Sequence, residues 1–364
     1  MTHARPLRID VCAPSRTYPV LVGPGSLAGL RDVLDEVGCG TTRFVVSNQT
    51  VWGFWGGALQ EALPEVETIL LPDGERFKTL PSTARIYDAL LKASADRSAA
   101  IITFGGGVVG DIGGFAAATY LRGLQLAHVP TTLLAQVDAA IGGKVGVNLP
   151  GGKNLVGAFY QPSVVVIDPS LLATLPRREF RAGLYEVIKY GIACDAGLFE
   201  RLRRDLGPLS KRDGGVLTPI IADCCRIKGA TVAQDERESG ARRILNFGHT
   251  VGHALEASTR YRRFLHGEAV AYGMMASCAI AAARGMLSAP EHTAIAGLVA
   301  QLGPLPPVND LSAAAQLEYM RRDKKVHEGR LHFVLPSAVG HAVVTTDVSE
   351  TELVRALRNL GLAE

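Results

Sequence analysis

The chain has 364 residues, 47% of them hydrophobic and 20% charged, with a formal net charge of +3. That length exceeds what one compact core accommodates and predicts two domains of ordinary globular composition. So small a charge excludes the electrostatic footprint of a nucleic-acid or anionic-membrane partner.

The opening Met-Thr-His-Ala-Arg-Pro carries no apolar stretch, so no signal peptide is expected. Leu7–Cys12 and Tyr18–Val22, separated by a Pro-Ser turn, read as a hairpin. Arg43–Val46, Glu67–Leu71, Ala99–Phe104, Leu126–Val129 and Ser163–Ile167 are short apolar, β-branched runs that predict buried strands. Helical patterns lie between them at Leu27–Val37 (Ser26 as N-cap), Thr50–Ala62 and Ser82–Lys92. This alternation predicts an α/β domain over 1–170 with a mainly parallel, Rossmann-like sheet. After Asp168-Pro169 the strand signals stop, and 171–364 is expected to be all-α. Ala269–Ala283, the longest apolar run, is too short for the roughly 20 residues of a membrane span and reads as a buried helix. Gly303–Pro307 reads as a loop and Ser349–Leu360 as a closing amphipathic helix. The six cysteines, Cys12, Cys39, Cys194, Cys224, Cys225 and Cys278, show no Cys-x-x-Cys spacing, which suits reduced thiols in a cytoplasm.

Several segments carry chemistry. Gly105-Gly-Gly-Val-Val-Gly110 follows a predicted strand and opens a helix, the arrangement that brings backbone amides and a helix N-terminus to a pyrophosphate. Close helix–strand packing explains the same glycines, and the next strand ends without an acid for a ribose. Asp73-Gly74-Glu75-Arg-Phe-Lys78 is a second place where a ribose could be held, or a plain solvated loop. Nine of the 38 basic residues are lysines, and all but Lys92 and Lys211 fall in glycine-, carboxylate- or histidine-rich segments. A compact ammonium or a depressible pKa would explain why arginine does not replace them. The doubled triplets Gly-Gly-Lys144 and Gly-Gly-Lys153, with Asp138 and Asn154 close by, suit phosphate. Glu186 and Lys189 stand three apart on an otherwise apolar helix. They form either a surface pair or a carboxylate ligand beside a lysine of lowered pKa.

The densest signal is histidine. His249 and His253 are one helical turn apart, and His266 follows in Leu-His-Gly-Glu. Residues at i and i+4 share a helix face. With a carboxylate from elsewhere, this cluster would make a His/His/Glu metal site with an open position. Arg242, Asn246, His249 and His253 follow 4-3-4 spacing and would form one polar stripe if a single helix carried them. The zinc-protease signature is excluded, because Thr250 stands where it needs glutamate.

Taken in order, the segments resemble the 3-dehydroquinate synthase family of the sugar-phosphate cyclases. They are Asp73-Gly-Glu, Gly105-Gly-Gly-Val-Val-Gly-Asp111, Thr119-Tyr-Leu-Arg-Gly123, Pro130-Thr-Thr, Gly142-Gly-Lys144, Gly152-Lys-Asn154, Glu186-Val-Ile-Lys189, Asn246-Phe-Gly-His249, His266-Gly-Glu and Asp323-Lys-Lys325. The resemblance implies an NAD- and metal-dependent lyase of the shikimate route to aromatic amino acids. Its substrate would be 3-deoxy-D-arabino-heptulosonate 7-phosphate, its products 3-dehydroquinate and phosphate, and its assembly a homodimer.

Carried over residue by residue, Glu186, His249 and His266 would hold zinc or cobalt. His253 would then serve phosphate and proton transfer, which corrects its pairing with His249. Asp138 and Lys189 would contact the hydroxyls undergoing oxidation. Lys144, Asn246, His253 and Lys324 would grip the phosphate, with Arg122 supplied by a partner subunit and Asn154 close by. Lys228 and Arg242 would meet the substrate carboxylate. NAD would lie along Asp73, Gly74, Glu75 and Lys78, along Gly107, Val108, Val109, Gly110 and Asp111, and against Thr131, Thr132, Lys144, Lys153, Leu171, Leu172, Ala173 and Thr174. Val145, Leu149 and Tyr185 depart from the family pattern without replacing an assigned group. A polyol dehydrogenase of the glycerol dehydrogenase type, or another sugar-phosphate cyclase, is the alternative. The first needs no pair of anion clusters, and the second usually differs in a Gly-Gly-Lys or Gly-Lys-Asn element.

Overall fold

The computed structural model describes residues 5–322, 326–327 and 330–364. They form two compact units, Met1–Pro176 with Arg212–Arg237, and Arg177–Lys211 with Glu238–Glu364. No helix among the described residues is long and apolar enough to cross a membrane.

The first unit is built on nine strands: β1 (Leu7–Ala13), β2 (Arg16–Val22), β3 (Arg43–Asn48), β4 (Glu67–Leu71), β5 (Ala100–Gly105), β6 (Gln125–Pro130), β7 (Lys144–Leu149), β8 (Gly152–Phe159) and β9 (Val164–Ile167). Seven of them form one sheet in the order β1-β2-β9-β6-β5-β3-β4, parallel except for the β1–β2 hairpin. The apolar runs of β5 and β9 are buried at every residue, as a sheet covered on both faces requires. Side chains alternate between the faces. Phe44, Val46, Ile101 and Leu126 pack under α3 (Leu80–Lys92) and α4 (Gly107–Thr119), while Val45, Ile102, Phe104 and Val129 pack under α1 (Leu30–Glu36) and α2 (Gln49–Ala62). Each buried aliphatic or aromatic side chain contributes about 1.5–3 kcal/mol. From β3 the chain moves outward to β4 and returns on the other side of β3 as β5. The switch point therefore lies at the carboxyl ends of β3 and β5, the place where open α/β sheets bind ligands.

Two expectations change here. The segment 144–159, where the sequence predicts no strand around the Gly-Gly-Lys triplets, forms β7 and β8, which pair as a separate antiparallel hairpin. Nor does the chain divide once at 170/171. It leaves the first unit as α5 (Arg177–Cys194) and α6 (Ala196–Ser210) and returns as α7 (Gly214–Gln234). The return has a packing reason: Gly229 of α7 lies against Val11, and Cys225 reaches the Gln136 carbonyl.

The second unit holds α5, α6, α8 (His249–Ser258), α9 (His266–Ala283), α10 (Ala289–Gln301), α11 (Ala313–Arg322) and α12 (Glu350–Asn359). It is not all-α, because Phe333–Ala338 pairs antiparallel with His341–Thr345. Pro336 and a register shift after it hide that hairpin in the sequence. α5 is buried at nearly every residue from Phe180 to Ala193, and α9 runs beside it as the expected alanine-rich core helix.

Candidate functional site

In the second unit, Glu186 of α5 and the first residues of α8 and α9, His249 and His266, bring their ligand atoms within 4.8 Å of one another. Nε2 of His249 lies 3.9 Å, and Nε2 of His266 3.6 Å, from Oε1 of Glu186. Each ring turns its other nitrogen to an acceptor: Nδ1 of His249 to the Phe247 carbonyl at 3.1 Å, Nδ1 of His266 to Oε2 of Glu256 at 3.2 Å. Neutral imidazoles so placed carry the proton on Nδ1 and point the Nε2 lone pair at a shared point. Glu186 is fully buried and neither of its oxygens accepts a well-formed hydrogen bond, although Nζ of Lys189 stands 2.5 Å from Oε2 as a charge partner. A buried carboxylate with one oxygen facing two imidazole lone pairs is a donor set that fits a divalent cation, with a position left for substrate.

Backbone packing puts these groups in place. Gly248 precedes α8 at φ +79, and a Cβ there would lie 2.6 Å from the Val270 carbonyl of α9. A Cβ on Gly273 of α9 would stand 1.8 Å from the Gly248 oxygen. The start of α9 is fixed by Glu268, which accepts the Leu265 N–H at 2.9 Å and is gripped by Arg178 through Nε at 2.8 Å and Nη2 at 2.7 Å. The left-handed turn at Gly248 also breaks the expected polar stripe. Arg242 and Asn246 lie on a separate 3-10 segment, Ala241–Asn246, and only His249 and His253 share α8. Arg242 is buried, and Asn246 Nδ2 donates to Oε1 of Glu238 at 2.5 Å. The His253 ring lies 5.5 Å from that of His249 and 5.9 Å from that of His266. Tyr185, beside Glu186, is wholly buried; its hydroxyl finds no hydrogen-bond partner and burial pushes its pKa up to about 12.

The residues expected to meet a nucleotide all fall in the first unit. Gly107, Val108, Val109, Gly110 and Asp111 form the opening of α4, directly after β5. Asp111 accepts from Nζ of Lys78, which also donates to Oδ1 of Asn154 at 2.5 Å. Burial raises the Asp111 pKa and the Lys78 ammonium draws it back. Gly74, at φ +105, turns the chain from Asp73 into Glu75, whose carboxylate accepts from Asn148 Nδ2 at 2.8 Å and lies 3.7 Å from Nζ of Lys153. The segment 73–78 is therefore tied to the β7–β8 hairpin. Thr131 is buried with no partner for its hydroxyl, and Thr132 accepts the Ala135 N–H. Leu171, Leu172, Ala173 and Thr174 lie on a 3-10 turn, Pro169–Thr174, clamped by Arg212 at the carbonyls of Leu172, Ala173 and Leu175. Trp55 Nε1 donates to the Thr174 hydroxyl at 2.8 Å.

Asp138 sits in a short π-helix, Ala135–Ala139, a form found often at functional sites. Nζ of Lys228 donates to its carbonyl at 2.5 Å and to its Oδ1 at 2.6 Å. Lys144 is exposed at the start of β7, after a turn pinned by Tyr18, whose hydroxyl accepts the Gly142 N–H at 3.1 Å. Val145 is buried in the core and Leu149 exposed. Arg122 is exposed on left-handed backbone past the C-terminal end of α4, whereas the glycine turn is at the N-terminal end. Lys324 lies outside the described residues.

Residues that sequence reasoning missed include Glu256 and Glu238. Glu256 had a signal: it falls at i+7 from His249 and i+3 from His253, on the same face of α8. Glu238, on irregular backbone at φ +59, had none.

Known proteins carry the same plan. The family model for the 3-dehydroquinate synthase N-terminal domain matches residues 68–182, and that for the C-terminal domain matches 183–326. A 3-dehydroquinate synthase from Microcystis aeruginosa is 45% identical over 95% of this chain and 96% of its own length. Among solved structures, 2-epi-5-epi-valiolone synthase from Streptomyces hygroscopicus, with NAD+ and Zn2+ bound, superposes with a TM-score of 0.86. It is 31% identical, covering 94% of this chain and 96% of that one. A 2-deoxy-scyllo-inosose synthase complexed with carbaglucose-6-phosphate, NAD+ and Co2+ gives a TM-score of 0.87 at 27% identity, covering 97% and 100%. Sequence, fold and the Glu186–His249–His266 cluster agree, and the chain belongs to the 3-dehydroquinate synthase family.

Proposed function

We propose that this protein converts 3-deoxy-D-arabino-heptulosonate 7-phosphate to 3-dehydroquinate and phosphate, by transient oxidation, phosphate elimination, re-reduction and ring closure. The observation that carries this reading is the buried Glu186–His249–His266 set in a chain matched by family relatives along nearly its whole length. Glu186, His249 and His266 would hold one divalent cation, zinc or cobalt, which supplies a Lewis acid for the hydroxyl that is oxidised. NAD, taken up by the first unit, supplies the hydride acceptor and later the donor.

The remaining chemistry falls to side chains. Lys189 and Asp138 orient the hydroxyls. Lys189 already faces Glu186, which holds its side chain beside the metal ligands. Lys144, Asn246, His253 and Lys324 bind the phosphate, and the His253 ring moves a proton as that group leaves. Lys228 and Arg242 bind the carboxylate, with Asp138 holding Lys228 in place until substrate arrives. Two anionic ends on one substrate call for two separate cationic groups, and this fixes its orientation. The α4 opening, where Lys78, Asp111 and Asn154 brace the turn, would hold NAD.

A homodimer is part of the reading. Arg122 stands one helix length from the glycine turn of its own chain, about 20 Å for a helix like α4, which favours a role on a partner copy. Leu121, Leu149, Leu155 and Phe159 are exposed near it in sequence or on the β7–β8 hairpin, and they offer apolar surface for that copy. A cytoplasmic location is part of the same reading, since the cysteines are sparse and carry no Cys-x-x-Cys spacing.

The test is to incubate the purified protein with the heptulosonate phosphate, NAD and divalent metal. Phosphate release without net NADH, abolished by chelator, is the expected result. NADH accumulating from a simple polyol would assign it instead to the dehydrogenases.

A further inference from the structure

The metal reading leaves one buried acid unassigned. Glu256 is 4% exposed, and its carboxylate lies against two histidines with different duties. Its Oε2 is 3.2 Å from Nδ1 of His266, whose Nε2 faces Glu186. Ligand atoms of His253, Glu256 and His266 also lie within 4.8 Å of one another, a second cluster that shares the His266 ring with the first. A neutral imidazole has one N–H to donate and one lone pair to give. With Nδ1 turned to Glu256 and Nε2 to Glu186, the ring serves the first cluster and is braced by the second.

The two histidine ligands are braced differently. His249 leans on the main-chain carbonyl of Phe247, which any side-chain change leaves in place. His266 leans on a carboxylate from another helix, which a substitution can remove. A carboxylate partner also raises the basicity of the opposite nitrogen more than a neutral carbonyl does. The turn after α8 is closed by the Glu256 main chain, whose carbonyl accepts the Tyr261 N–H at 2.7 Å.

Resting on the metal reading above, we propose that Glu256 is a positioning residue for His266, holding Nε2 toward Glu186 and setting how tightly the site keeps its divalent cation. The experiment compares the full-length protein with Glu256→Gln and Glu256→Asp. Each is stripped of metal, then titrated with Zn2+ in competition with a chromophoric chelator and loaded with Co2+ for visible absorption. Thermal unfolding of the metal-free forms is measured alongside.

Wild type should take up one cation, and Glu256→Gln should hold it about 10–100-fold more weakly with a shifted Co2+ spectrum. Glu256→Asp keeps the charge on a shorter arm and should fall between; it also serves if the glutamine variant fails to fold. Equal affinities and superimposable Co2+ spectra, whatever the change in unfolding temperature, would make Glu256 a packing residue and overturn the proposal. Wild type that holds no cation is a different result: it overturns the metal reading itself, and this inference with it.

Discussion

In the second unit, Glu186, His249 and His266 stand on three buried helices and leave a carboxylate without a well-formed hydrogen bond. In the first, Lys78, Asp111 and Asn154 close on one another from a 3-10 turn, a helix and a strand. The helical cluster pairs its carboxylate with the Lys189 ammonium and turns two imidazole nitrogens toward the other oxygen, a donor set that fits a cation. The Lys78–Asp111–Asn154 cluster satisfies its own charges beside the α4 opening. The difference is one of electrostatics as much as of shape: a cofactor that is itself a charge needs an unsatisfied pocket, whereas a large one needs a braced surface.

The most damaging test of that contrast is Glu186→Gln, which should abolish metal uptake and lower phosphate release at least about 10³-fold, ~4 kcal/mol of barrier. Full activity with bound metal would remove the carboxylate from the site. Next, Gly273→Ala forces a methyl onto the Gly248 carbonyl and should destabilise the protein by about 3 kcal/mol, with metal content falling as well. A denaturant midpoint equal to wild type would show that the α8–α9 contact has slack.

The pH dependence sharpens the comparison from the other unit. His128 on β6 hydrogen-bonds Thr103 at 2.6 Å, lies beneath Gly110 and is pushed by burial from 6.5 to about 4. A histidine whose folded pKa is depressed gives stability that is present above the unfolded value. The unfolded chain takes up the proton first, so this stability is lost as pH falls from 6.5 to about 4. The loss amounts to about 3 kcal/mol by the lower limit. His128→Gln should flatten the difference in urea midpoint over that window; parallel curves for the two proteins would contradict a neutral buried ring. The smallest effect is expected from Lys78→Met. It leaves Asp111 without its ammonium and should weaken NAD binding about 10-fold, ~1.4 kcal/mol, measured by titration. Metal content should not change, and a parallel loss of metal would show that the two clusters are not independent.

Much of this was legible in the chain. The parallel strands appear almost residue for residue, because a strand buried on both faces needs an unbroken apolar run that nothing else explains as well. His249, His253 and the strand-to-helix glycines are likewise local patterns. The β7–β8 hairpin was not legible, since Gly-Gly-Lys repeats describe a loop as well as a glycine-rich strand. The second-unit hairpin was masked by Pro336.

The sequence by itself determined the period of each element, hence which side chains share a face, and it named the two imidazoles that a helix turn sets apart. Only the tertiary structure brought Glu186 up to His249 and His266, returned Lys228 to Asp138, and stood Glu256 behind the His266 ring. Periodicity is a property of one element. Which groups meet across elements depends on how closely backbones approach, and here that distance is set where Gly248 and Gly273 touch.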